Sequence, residues 1–164
     1  MKLDRRVNES LAGMGEPGFD LVGRTPGVQI LRVLFLPTFH RDVLITIEAA
    51  ETVARLACVT GPPRSHRSDD VLAADEFDVV WAASEAVTDA ATKPSEDWLR
   101  DGMPVRVDIE DALGRRSVTC GNDAGRGEIG ELVAELLAKV RRHLPDHELD
   151  QALSDVERYL THDD

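Results

Sequence analysis

Three apolar runs in quick succession constrain the fold of this chain more than any other feature. VQILRVLFL (28–36), VLITIEA (43–49) and TVARLACVT (52–60) are rich in β-branched residues and are separated by six and then two residues. Connectors that short cannot carry a parallel crossover, which needs a dozen residues or more, so neighbouring runs must pair antiparallel. The first run is apolar on both faces and reads as a central strand. A second hairpin follows later: PVRVDIE (104–110) alternates strictly, Asp111-Ala-Leu-Gly114 turns the chain, and RRSVTC (115–120) returns. That turn sets Glu110 opposite Arg115 and Asp108 opposite Ser117, as a solvated polar strand face with ordinary cross-strand partners. The stretch GPPRSHRSDD (61–70) is dense in breakers and polar groups, and reads as a loop that no strand crosses.

The period changes after Leu72. Ala73, Phe77, Val80, Ser84, Val87 and Ala91 recur every three or four residues, with Trp81 beside them, which lays one helical face on a core. Lys93-Pro94 stops that helix. Ile129, Leu132, Val133, Leu136, Leu137 and Val140 mark a second amphipathic helix, ended by Pro145. Asp146 then caps a third, which carries Leu149, Leu153, Val156 and Leu160 inward. The order βββ-α-ββ-α-α places the chain in the α+β class, with an antiparallel sheet of about five strands and helices packed on one face. Residues 1–27 contain Gly13, Gly15, Pro17, Gly18, Gly23, Pro26 and Gly27 and read as an irregular N-terminal arm, with room for a short helix at 4–12. Residues 28–164 then form a single domain.

Thirty-one acidic against nineteen basic residues leave a net charge of −12 on 164 residues. Binding to DNA or RNA needs clustered Lys and Arg, so nucleic acid is excluded as a partner, and anionic membranes by the same argument. No apolar run approaches the roughly 18 residues of a membrane span, and the N-terminus has no apolar signal core, so a cytoplasmic protein is expected. Cys58 and Cys120 each close an apolar run and read as buried thiols. The charge is unevenly spread. Residues 68–101 hold ten acids and two bases, residues 128–164 hold ten acids and four bases, and the rest of the chain is slightly basic. The excess therefore belongs to helices. Their outer faces would present Asp75, Glu76, Asp78, Glu85 and Asp89, and on the later helices Glu128, Glu131 and Glu135 followed by Glu148, Asp150, Asp155 and Glu157, as either a solvating surface or a docking face for a basic protein.

Chemistry-bearing patterns are few. Gly125-Arg-Gly127-Glu-Ile-Gly130 matches G-x-G-x-x-G between a strand and a helix. A dinucleotide fold would continue into a parallel strand with an acidic ribose ligand, whereas here another helix follows and Glu128 and Glu131 would repel phosphate. A small-ligand or enzymatic role for the 121–130 loop stays open as an alternative. His143 and His147 are split by Pro145, and His66 has no evident partner. No catalytic residue, metal ligand or cofactor site emerges. The tip Pro37-Thr-Phe-His-Arg-Asp42 exposes Phe39, His40 and Arg41, residue types that anchor interfaces, unless Phe39 folds back under the sheet. Trp98 presents the same choice.

LRVLFLPTFHRDVLITIE, LAADEFDVVW and VRVDIEDALGRRSV followed by an amphipathic helix resemble small acidic bacterial α+β proteins of the immunity type. That resemblance implies neutralisation of a partner toxin, often a basic nuclease. The element order is also similar to that of type III secretion chaperones, which implies a dimer holding an extended effector segment. The expected function is a non-enzymatic, acidic protein-binding module for a basic partner protein, as a monomer or homodimer.

Overall fold

The computed structural model describes residues 2–19, 26–87 and 102–161, and its apolar runs form strands of one six-stranded antiparallel sheet. In chain order the elements are α1 (Lys2–Met14), β1 (Val28–Phe35), β2 (Val43–Ala50), β3 (Val53–Thr60), β4 (His66–Leu72), α2 (Ala74–Ala86), β5 (Val105–Asp111), β6 (Gly114–Cys120), α3 (Gly127–His143) and α4 (His147–Thr161). Across the sheet the strands run β4-β3-β2-β1-β5-β6, so β1 is central as its two-sided apolarity requires. The α+β class holds, with one more strand than expected.

Alternation along the strands divides the apolar residues between two faces. Leu31, Val33 and Phe35 of β1, Ile45 and Ile47 of β2, Leu56 and Cys58 of β3, and Val107 and Ile109 of β5 point to one side. There they meet Val80 and Trp81 of α2, Leu132 and Leu136 of α3, and Leu149, Leu153 and Val156 of α4. Trp81 belongs to the buried stripe of α2 rather than beside it; its ring stacks on Phe77 at 5.6 Å and its Nε1 donates to Glu85 at 3.2 Å. Asp146 caps α4 as expected, its Oδ1 accepting the N–H groups of Glu148 (2.9 Å) and Leu149 (3.2 Å). Cys58 and Cys120 are buried and form no disulfide, and burial pushes the Cys58 thiol up to about 12.

Three expectations fail here, each for a physical reason. Residues 1–27 are not simply an irregular arm, because Lys2–Met14 is helix α1. Val7, Leu11 and Met14 recur at four and three residues, forming a stripe that covers Leu34, Leu36, Leu44 and Val59 together with Phe19. Helices therefore lie on both faces of the sheet, not on one. Arg6 fixes the contact by donating to the carbonyls of Leu36 (3.1 Å) and Pro37 (3.0 Å).

The second failure is the loop 61–70, of which His66–Asp70 belongs to β4. Only Leu72 of β4 is buried, so no hydrophobic alternation announces the strand; pairing of its backbone with β3 makes it one. Charged side chains on an edge strand also discourage pairing with other chains.

The third concerns Asp108 and Glu110. Their register is as read from the turn, Glu110 opposite Arg115 and Asp108 opposite Ser117. The face is not solvated, however: Asp108 is 5% and Glu110 6% exposed, and Arg32 on neighbouring β1 is 3% exposed. Asp108 accepts from Arg115 Nε at 2.9 Å, with Arg115 Nη2 at 2.8 Å, and from Ser117 Oγ. Arg32 faces Asp108 across the strand pair, donates to the Pro17 carbonyl at 3.1 Å, and lies over the Phe19 ring at 4.6 Å. Burial pushes the Arg32 guanidinium below its ordinary pKa, and the nearby carboxylates of Glu16 and Asp108 oppose that shift. One half of this sheet face is thus an apolar core under α1, and the other half is a buried ion-pair network.

Candidate functional site

Residues 37–42 leave the central strand at one end of the sheet and turn into β2. The start of α4 passes the same end, and the Pro62-Pro63 segment between β3 and β4 closes a third side. Together they enclose a cleft of about 570 Å³ lined by Phe39, His40 and Arg41 from the tip and by Glu148 and Asp155 from α4. Phe39 does not fold under the sheet; it is 74% exposed. The three tip residues singled out in the sequence are therefore brought together at a concavity.

His40 and Arg41 tie the tip to α4. His40 Nδ1 lies 3.3 Å from the Tyr159 hydroxyl, with the rings edge to face at 5.7 Å, and its Nε2 is 3.8 Å from Asp155 Oδ1. Arg41 Nη1 stands 3.7 Å from Glu148 Oε2. Both of these last separations exceed hydrogen-bond length. His66 also has a partner the sequence did not show: its Nε2 is 3.2 Å from Asp146 Oδ2, the carboxylate that caps α4. Nothing in sequence spacing relates residues 40 and 66 to a helix about a hundred residues later.

The acidic helical faces separate into two kinds. Asp75, Asp78 and Glu85 are exposed on α2, and Glu128 and Glu131 on α3. Glu76 differs: it turns into the seam between α2 and α3, where Arg142 (3.0 Å), Lys139 (3.5 Å) and His143 (2.9 Å) surround it and the Ala73 N–H donates to it at 3.3 Å. His143 also reaches Asp70 Oδ2 at 3.2 Å, joining β4 to the helices. Asp89 and Trp98 lie outside the described residues.

The His143 hydrogen bond leads the effects that hold the Glu76 carboxyl down to about 2, from an ordinary value of 4.5, against its partial burial. A carboxylate depressed on folding stabilises the native state at pH values above its unfolded pKa, and that contribution is lost as pH falls through its folded pKa. Glu76→Gln is expected to lower the melting temperature at neutral pH and to flatten the acid limb between about pH 4.5 and about 2. Thermal melts across that range check it, and wild-type and variant curves that stay parallel would refute the role.

The glycines of the 121–130 loop have a packing role. A Cβ at Gly125 would collide with the Leu160 carbonyl of α4, and one at Gly130 with the Gly125 carbonyl, while Gly127 adopts φ +59°. Close backbone approach within the protein thus accounts for the spacing that resembles a phosphate loop. Among the described residues, no group of three or more His, Cys, Asp or Glu is placed to hold a metal ion, and no helix is long and apolar enough to cross a membrane. No protein-family model matches the chain, and neither a curated protein nor a solved structure matches it significantly.

Proposed function

We propose that this protein is a non-enzymatic, immunity-type binding module that docks a basic partner protein stoichiometrically through its acidic helical layer. One observation carries the reading: the exposed acids of α2 and α3 have no cationic partner among the described residues, whereas those of α4 are largely engaged. Arg141 holds Asp150 (3.3 Å) and Glu157 (2.9 Å), and Arg158 holds Asp155 (3.3 Å). Asp75 and Glu128 sit in first helical turns, where the helix dipole favours an acid. Asp78 and Glu131 have no such placement and their charges face solvent uncompensated, while Glu85, also exposed, accepts the Trp81 indole N–H but meets no cation among the described residues. A surface of this kind raises the association rate with a basic partner and rejects acidic ones.

The test is affinity capture from the native host with wild type and an Asp78→Lys/Glu85→Lys/Glu131→Lys bait. All three positions are exposed; Asp78→Lys and Glu131→Lys should each change stability by no more than about 0.5 kcal/mol, and Glu85→Lys by somewhat more because it removes the acceptor of the Trp81 indole N–H. A basic protein retained by wild type, lost by the reversed bait, and bound at least about tenfold more weakly as salt rises from about 50 to 300 mM is the expected result. A partner held equally by both baits, with affinity flat in salt, overturns acidic-face docking.

A further inference from the structure

We propose that the cleft between the β1–β2 tip and α4 seats an arginine side chain presented by the partner protein. This deepens the protein-binding reading by assigning ligand chemistry at a second contact point. The cleft, about 570 Å³, has room for a long side chain and its flanking backbone. Its lining is of two kinds. Phe39 offers an exposed ring face, and Pro62, Pro63 and Ala152 offer apolar surface for a methylene stem. Glu148 and Asp155 supply carboxylates from one side of α4.

Those carboxylates retain acceptor capacity. The nearest side-chain cation to Glu148 is Arg41 at 3.7 Å, and no side-chain hydrogen bond reaches its carboxylate among the described residues. Asp155 Oδ1 accepts from Gln151 and Arg158 at 3.4 and 3.3 Å, long bonds that leave its second oxygen available. The titratable and charged groups facing the space are His40, Arg41, His147, Glu148 and Asp155, so two carboxylates stand against a single guanidinium. An anionic ligand would meet two carboxylates, and an apolar one would strip water from them without replacement. A guanidinium matches both parts of the lining: its plane stacks on Phe39 and its fork donates to Glu148. An ammonium matches only the charge.

Titration of the ¹⁵N-labelled full-length protein with short, blocked all-arginine, all-lysine and all-citrulline peptides tests this. The expected result is that shifts from the arginine peptide concentrate on the amides of Phe39, Arg41, Glu148 and Gln151. It should bind at least about tenfold tighter than the citrulline peptide and several-fold tighter than the lysine peptide. Phe39→Ala and Glu148→Gln, both at exposed positions, should each weaken it by about threefold to tenfold while the spectrum stays that of the folded protein. Equal binding of arginine and lysine peptides, or indifference to Phe39→Ala, overturns the proposal. So do shifts confined to Asp75, Asp78 and Glu131, an outcome that would leave acidic-face docking standing.

Discussion

Replacing Leu11 with alanine is expected to destabilise the protein by about 2–5 kcal/mol, the range for truncating a buried leucine. Leu11 is completely buried, held by α1 against Leu34, Leu36, Leu44 and Val59. The loss combines transfer of the removed methyl groups with the cavity left between a helix and a sheet that cannot fully close. In a chain of this size that corresponds to a fall in melting temperature of roughly 4–20 °C. Chemical denaturation of the variant checks the free energy directly, with the denaturant slope showing whether the native surface has changed. A loosely attached arm makes a different prediction: Leu11→Ala would then fall within about 0.5 kcal/mol of wild type, and the two-faced packing described here would be wrong.

Asp108→Asn is expected to be as damaging, by another route. The substitution keeps the shape of the side chain and removes its charge, leaving buried Arg32 and partly exposed Arg115 with one carboxylate fewer. Breaking a buried pair by removing one partner costs roughly 3–5 kcal/mol, because the remaining charge stays desolvated. Replacing the whole network by apolar residues of similar size need not carry that cost, since the pair itself gains little over a well-packed hydrophobic cluster. Denaturation of Asp108→Asn beside an Arg32→Met/Asp108→Leu/Arg115→Met triple variant separates the two effects. The single variant should be the less stable, and a triple variant that falls further would assign the network a net stabilising role instead.

Much of the fold was legible because its elements follow local patterns. The five apolar strands, the register of the 105–120 hairpin and the cap at Asp146 depend on alternation, turn length and side-chain chemistry within a few residues. Strand β4 was not legible, since its side chains, apart from Leu72, carry no apolar pattern and its identity comes from backbone pairing to β3. Helix α1 was half legible: the spacing of Val7, Leu11 and Met14 was present, but the neighbouring glycines and prolines outweighed it. At the candidate site, Phe39, His40 and Arg41 were visible as an unusual hairpin tip. Their partners Glu148, Asp155 and Tyr159 were not, because they are remote in sequence and belong to a helix whose docking position no local pattern encodes.

The charge of −12 shows the same division. Composition and partition along the chain located the acidic excess in residues 68–101 and 128–164, of which Asp69 and Asp70 fall on strand β4 rather than on a helix. Only the tertiary structure decided which acids are spent internally. Glu76 is taken up by Lys139, Arg142 and His143, and Asp108 by Arg115, while Asp78, Glu85 and Glu131 remain facing solvent. The reason is that a residue's type sets the sign of its charge, whereas its ion pairs and its exposure depend on which distant elements the packed core brings alongside it.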